Sequence, residues 1–223
     1  MIQSDFKERI CMNRCEWCGK NSSGYGMVVL TIKEGGPSQS ICEDCYNRYM
    51  ADILGVENYK DYEKEAIFKD CDGIEHCFQI RKKIHPTGIC WEAVEFTGVD
   101  KIGYSFEVHQ DFEEDSNDAL ERLYKKIRKG LSQKFIKREV FQGHELISFK
   151  GNIVEGRIEW DDRYDDRTPK FIIDGQEYSL EEFGRMMMSC EGWNFRLEII
   201  EPTEWVYIYS IKFKTKRLRL PIV

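Results

Sequence analysis

Two cysteine pairs, Cys15-Glu16-Trp17-Cys18 and Cys42-Glu43-Asp44-Cys45, constrain this 223-residue chain more than any other feature. A C-x-x-C turn brings two thiolates onto one ion, and two such turns complete the tetrahedron that zinc prefers. The alternative, four small buried thiols, gives no reason for the same spacing to occur twice. Four sulfurs leave no open coordination position, so the implied cofactor is one structural Zn2+ held by Cys15, Cys18, Cys42 and Cys45. Gly19 follows the first pair, where a tight knuckle takes a positive φ. Between the pairs, the β-branched run from Gly26 to Lys33 reads as a strand. Glu34-Gly35-Gly36-Pro37-Ser38 is turn chemistry, and Gln39 to Ile41 is the return strand. After Cys42, Tyr46, Tyr49, Met50, Ile53 and Leu54 fall at helical spacing. The second pair therefore opens a helix, whose N-terminal partial charge favours thiolates. Cys11, one helical turn before Cys15, reads as a bystander.

Knuckle, hairpin, then a cysteine pair opening a helix is the treble-clef order. With C-x-x-C-G-K at Cys15 to Lys20 and I-C-x-x-C at Ile41 to Cys45, the segment resembles the zinc-binding domain at the start of the Clp protease's unfoldase subunit. That resemblance implies a binding or dimerising module rather than a catalytic one.

The expected class is α+β: an N-terminal treble-clef zinc finger (10–58) followed by two antiparallel sheet-plus-helix units (61–139 and 140–223). In the first unit, Ala66 to Phe68 is joined through Asp72-Gly73 to a strand in which Ile74, His76, Phe78 and Ile80 alternate with polar residues. Ile89 to Phe96 and Tyr104 to Val108 follow around Gly98-Val99-Asp100. A helix from Ser116 carries the stripe Leu120, Leu123, Tyr124, Ile127 and Leu131. In the second unit, Leu146 to Phe149 and Val154 to Trp160 read as a hairpin around Gly151-Asn152. Lys170 to Ile173 is a short strand ending at Asp174-Gly175. Ser179 and Glu182 make a capping box, opening a helix expected to bury Leu180, Phe183 and Met187. Phe195, Leu197 and Ile199 alternate as a strand, and so do Trp205, Tyr207, Tyr209 and Ile211. Each unit carries its own apolar faces, so the finger is expected to be separable from residues 61 to 223.

The strings Gly156 to Asp162, Phe171 to Arg185 and Glu191 to Ile199 resemble a bacterial domain family of unknown function. The middle segment, with Trp91-Glu92-Ala93 and Lys126 to Leu131, is similar to its usual zinc-finger companion. The resemblance implies a bacterial origin and no assigned activity.

Other features exclude or weaken function classes. No segment approaches the ~18 apolar residues of a membrane span. The first ten residues carry Asp5, Lys7, Glu8 and Arg9 without the apolar core of a signal peptide, so the expected location is cytoplasmic. In that reducing setting the nine cysteines are metal ligands or small buried hydrophobes rather than disulfides. His76 with Cys71, Cys77 and Cys90 fits no common zinc spacing, and these thiols read as buried strand residues. Asp161, Asp162, Asp165 and Asp166, interleaved with Arg163 and Arg167, read as an ion-paired loop. No phosphate-binding, dinucleotide or nucleophile-elbow motif is present.

A net charge of -7 argues against nucleic-acid binding by the whole surface. Residues 122–138 nevertheless contain eight Lys and Arg and no acid. Lys125, Lys126, Arg128 and Lys129 are the candidate phosphate contacts, and Lys212 to Arg219 is a second basic run. Three readings stay open. The first is a non-catalytic, zinc-bearing module that binds a protein partner or a second copy of itself, with no membrane role. The second is a nucleic-acid-binding regulator using residues 122–138. The third is a hydrolase with an unrecognised site.

Overall fold

The computed structural model describes residues 12–57, 59–60, 62–98, 101–164 and 168–203. The class is α+β, with small antiparallel sheets and three α-helices among the described residues. In the N-terminal part, β1 (Met12–Arg14) and β2 (Asn21–Ser23) flank the first cysteine pair as a ribbon. β3 (Met27–Leu30) and β4 (Gln39–Cys42) form the hairpin between the pairs. β3 stops at Leu30, short of the expected Lys33, and the Thr31 and Ser38 hydroxyls meet at 2.8 Å just beyond it. α1 (Glu43–Leu54) starts directly from Cys42 and ends at Gly55, which takes φ 68° and returns its N–H to the Ala51 carbonyl.

The central sheet contains β5 (Glu65–Lys69), β6 (Glu75–His85), β7 (Gly88–Gly98) and β8 (Lys101–Gln110), all antiparallel in that order. One face gathers Phe78, Ile80, Ile84, Ile89, Trp91, Ala93, Phe106 and Val108 against Ala119, Leu123, Ile127 and Leu131. Three of those last four belong to α2 (Ser116–Gly130), which begins where the Asp115 carboxylate accepts the Asn117 N–H at 2.7 Å. β6 continues past Ile80 because Lys82 occupies an apolar slot of the period-2 pattern. Its stem is buried, and its ammonium lies 4.6 Å from the centre of the Trp91 ring and 3.2 Å from the Ser116 hydroxyl.

The N-terminal four-cysteine part, expected to have a core of its own, packs into the same core as this sheet. Ile41, Cys42, Cys45, Tyr46, Met50 and Ala51 belong to the same apolar cluster as Phe78, Ile80 and Trp91. The cause is topological. β5 pairs with β6 only as far as Gln79, so the rest of β6 has an open edge. Buried Asn47 of α1 closes it, donating to the Lys82 carbonyl at 2.5 Å and accepting the Ile84 N–H at 3.0 Å. Its side-chain amide thus takes the place of a neighbouring strand's peptide. Beside it, the Arg81 guanidinium donates to the Glu43 carboxylate and the Tyr25 carbonyl and covers the Tyr25 ring at 4.4 Å. The Tyr25 hydroxyl donates to Glu92.

The C-terminal part corrects three expectations. β9 (Ile136–Phe141) pairs with β10 (His144–Phe149), so Leu146 to Phe149 does not form a hairpin around Gly151-Asn152. The turn is Gln142-Gly143, both at positive φ, the conformation that suits a two-residue hairpin. β9 gave no signal because its residues after Ile136 are exposed on both faces. β11 (Arg157–Trp160), β12 (Pro169–Ile173) and β13 (Gln176–Ser179) form a second small sheet. α3 (Leu180–Met187) follows, with the Ser179–Glu182 capping box formed as expected. Its buried residue is Met186, beside half-buried Phe183, while Leu180 and Met187 are exposed. The rotation follows from Phe183, which stacks on Phe171 of β12 at 4.2 Å. Phe195, Leu197 and Ile199 belong to no strand and are exposed. The strand expected at Trp205 to Ile211 and the second basic run lie outside the described residues.

Asn47→Ala is expected to cost about 3 kcal/mol, because it strands a buried carbonyl and a buried N–H at once. Urea denaturation checks this, and a loss below about 0.5 kcal/mol, the scale of an ordinary surface change, would contradict the role given to Asn47.

Candidate metal centre

The four sulfurs of Cys15, Cys18, Cys42 and Cys45 all lie within 4.8 Å of one another. The Cys18 and Cys42 sulfurs are 3.7 Å apart. A tetrahedral ion with metal–sulfur bonds of about 2.3 Å sets its ligands about 3.8 Å apart, so the cluster is consistent with a structural metal such as zinc.

Local structure explains the gathering. Gly19, at φ 72°, returns its N–H to the Cys15 carbonyl at 2.9 Å and closes the first knuckle. The Glu16 N–H reaches the Ser40 carbonyl at 3.0 Å, and the Trp17 indole N–H reaches Gln39 Oε1 at 2.9 Å. Both bonds tie the knuckle to β4, which carries Cys42 at its end. Trp17 also packs edge-on against Tyr49 of α1, at 5.5 Å between centroids. Cys42 and Cys45 then sit at the start of α1, and Arg48, one turn later, donates to the Cys45 sulfur at 3.4 Å.

The electrostatics of the bare thiols conflict. Burial alone would raise Cys15, but N–H groups of Cys42, Cys18 and Trp17 bond to its sulfur and hold it at about 6. Burial and the neighbouring sulfurs push Cys45 up to about 12, and burial raises Cys42 as well. Four crowded sulfurs cannot all ionise unaided, and a dication removes the conflict. Cys15, Cys42 and Cys45 are buried, while Cys18 faces solvent.

Among the described residues these four form the only metal-competent group. Cys71 and Cys77 are exposed rather than buried, because Cys71 sits in a turn and Cys77 on the polar face of β6. Cys90 donates to the Glu107 carboxylate at 2.9 Å, and burial raises its thiol. Cys190 is half-buried, and Cys11 lies outside the described residues.

The basic segment looks different in space. Lys126 is buried, and its ammonium donates to the carbonyls of Glu107 (2.7 Å) and Pro202. Desolvation lowers it to about 8. Lys125 pairs with Glu121 one turn earlier at 3.0 Å, and the Arg128 guanidinium lies 5.5 Å from the centre of the Phe68 ring. Lys129 sits beside Arg128 near the end of α2 and also has a partner. Further along, Lys137 pairs with Glu139, and Arg138 with Glu145. Lys125, Arg128 and Lys129 therefore share a surface that Lys126 does not join. Asp161 of the acidic loop is taken by Arg163, which donates to both of its oxygens.

A second charged constellation escaped sequence reasoning. Asp70, His76, Glu95, Lys134 and Asp174 line a cleft of about 470 Å³ where the central sheet meets the C-terminal part. His76 Nδ1 is 2.6 Å from Glu95 and Nε2 is 3.2 Å from Asp70. Lys134 is 2.8 Å from Asp70 and 3.1 Å from the Tyr104 hydroxyl. Burial would raise Asp70, but Lys134, the Ile74 and Asp72 N–H groups and His76 together hold it well below the usual carboxylate range. The available signals were the turns Asp72-Gly73 and Asp174-Gly175. Nothing local linked residues 104 positions apart.

No helix among the described residues is long and apolar enough to cross a membrane. Searches of curated proteins and of solved structures gave no match. Three domain families, each described as a domain of unknown function, match successive parts of the chain: DUF7685 over residues 14–57, DUF7686 over 60–132 and DUF7713 over 135–204.

Proposed function

We propose that this chain is a non-catalytic protein-interaction module, stapled by one structural zinc ion in a treble-clef finger. The observation that carries the reading is the distribution of exposed apolar surface. Among the described residues, most of the large exposed apolar side chains lie between residues 140 and 199, with Trp160 at 62%, Trp193 at 63% and Phe195 at 91% exposure. Where such side chains adjoin, the uncovered apolar surface favours an interaction site. The zinc-bearing half then acts as the rigid platform, since four sulfurs leave no coordination position for a substrate. A protein partner or a second copy of the chain is the ligand class this surface favours.

The nucleic-acid reading draws less support. Its four candidate residues include one buried lysine and one lysine already paired with a glutamate. The hydrolase reading draws on the polar cleft under α1, lined by Glu43, Arg81, His85, Cys90, Glu92 and Glu107. There, burial raises Glu43 while Arg81 opposes it, and Cys90 is protonated against Glu107 rather than ionised. Arg81 pairs with Glu43 and Glu92, and Cys90 donates to Glu107, so that cleft offers no activated nucleophile.

Elemental analysis is expected to give one zinc per chain. Cys→Ser at position 15, 18, 42 or 45 should abolish it, since metal binding supplies on the order of 10 kcal/mol in such sites. Cys→Ser at 71, 77, 90 or 190 should leave it intact, and a second zinc per chain would contradict the assignment. Titration with duplex DNA and single-stranded RNA should give affinities no better than ~100 μM at physiological salt. A micromolar, steeply salt-dependent affinity lost on neutralising Lys125, Arg128 and Lys129 would favour the nucleic-acid reading instead.

A further inference from the structure

The junction between the central sheet and the C-terminal part is built around one imidazole. Both ring nitrogens of His76 face carboxylates, Glu95 of β7 at 2.6 Å and Asp70 of the loop after β5 at 3.2 Å. Its ring meets that of Tyr104 of β8 edge-on, at 5.3 Å. Lys134, in the linker after α2, bonds to Asp70 and to the Tyr104 hydroxyl. From the β12–β13 turn, Asp174 accepts the Phe135 and Ile136 N–H groups at 2.9 and 2.8 Å. Gly175 beside it lies so close to the Tyr104 ring that a Cβ there would stand 2.9 Å from it. Lys101 and Glu177 complete the charged lining of the cleft.

We infer that His76 is a pH-operated latch, holding the C-terminal part against the central sheet when protonated and loosening it when neutral. The charges show why. With a protonated imidazole, two carboxylates (Asp70, Glu95) face two cations (His76, Lys134), while Asp174 is satisfied by backbone N–H groups. A neutral imidazole has one N–H and cannot donate to both carboxylates. Losing the proton therefore turns one short contact into a lone pair facing a carboxylate oxygen, in a half-buried place with one uncompensated negative charge. Asp70 passes the change to the linker through Lys134, and Tyr104 passes it to Gly175.

The direction of the linkage is set by Glu95. Its hydrogen bond raises the His76 pKa above the ordinary value, and burial opposes it without prevailing. A group raised on folding contributes stability that is complete below its free pKa and is lost as pH rises through its folded one. The latch is thus shut in mild acid and opens towards alkaline pH.

The test uses the full metal-loaded chain. NMR follows the His76 ring while hydrogen exchange gives protection factors, corrected for intrinsic rates, of the Phe135 and Ile136 amides. Between roughly pH 5.5 and 8.5, the window in which histidine changes charge, both protection factors should fall severalfold as His76 deprotonates. The fall should be tenfold for each pH unit separating the junction pKa from the free one. His76→Gln should abolish that pH dependence, although His85, His109 and His144 are still present. Flat protection factors while His76 titrates, or the same fall in His76→Gln, would overturn the proposal. If the variant does not fold, coincidence or divergence of the two wild-type curves decides alone.

Discussion

The open edge of β6 is the constraint around which the N-terminal half is arranged. β6 runs to His85, but β5 accompanies it only to Gln79. An unpaired strand edge at the border of an apolar core must be covered, because its N–H and C=O groups cannot stay dry and unbonded. Asn47 covers it with one side chain, and α1 brings Tyr46, Met50 and Ala51 into the core at the same place. α1 is held by the cysteine cluster at its first turn and by Trp17 against Tyr49. The four-cysteine cluster, the helix and the sheet edge are therefore successive links of one physical chain.

Charge is arranged by the same logic of local closure. The chain is acidic overall, yet its basic, acid-free stretch 122–138 supplies partners to acids and carbonyls elsewhere. Lys126 bonds at the free edge of β8, Lys134 joins the cleft network, and Arg138 reaches across to Glu145 and the Tyr178 hydroxyl. What looks in the sequence like a single basic surface is divided among an α-helix end, a linker and a strand. Among the described residues, most of the large exposed apolar side chains lie on the C-terminal part, whose small core centres on Ile173, Tyr178 and Met186.

Legibility followed the physics of each element. The paired C-x-x-C spacing, the helical spacing of α1, the alternation through Phe78 and Ile80 in β6 and the capping box of α3 were readable because each rests on contacts within a few residues. β9 was invisible because neither of its faces is apolar, and β6 was cut short because Lys82 is buried by covering Trp91. α3 was rotated from expectation because Phe171, far away in sequence, decides which side Phe183 takes. The union of finger and sheet was missed because Asn47 signals nothing locally: a polar residue within a helix pattern reads as a solvated face. The junction around His76 depends on contacts from five separate segments, and no spacing rule announces it.

Through the shared apolar cluster, the four-cysteine part and the central sheet form one body. Amide hydrogen exchange of Ile84, whose N–H is bonded to Asn47 across that boundary, tests it most directly in metal-loaded and chelator-stripped protein. On metal removal, Ile84 should lose protection together with the amides of α1, because the helix that closes its edge is no longer held. If the α1 amides exchange freely while Ile84 keeps its protection, the finger is an appendage and the account of a shared core is wrong.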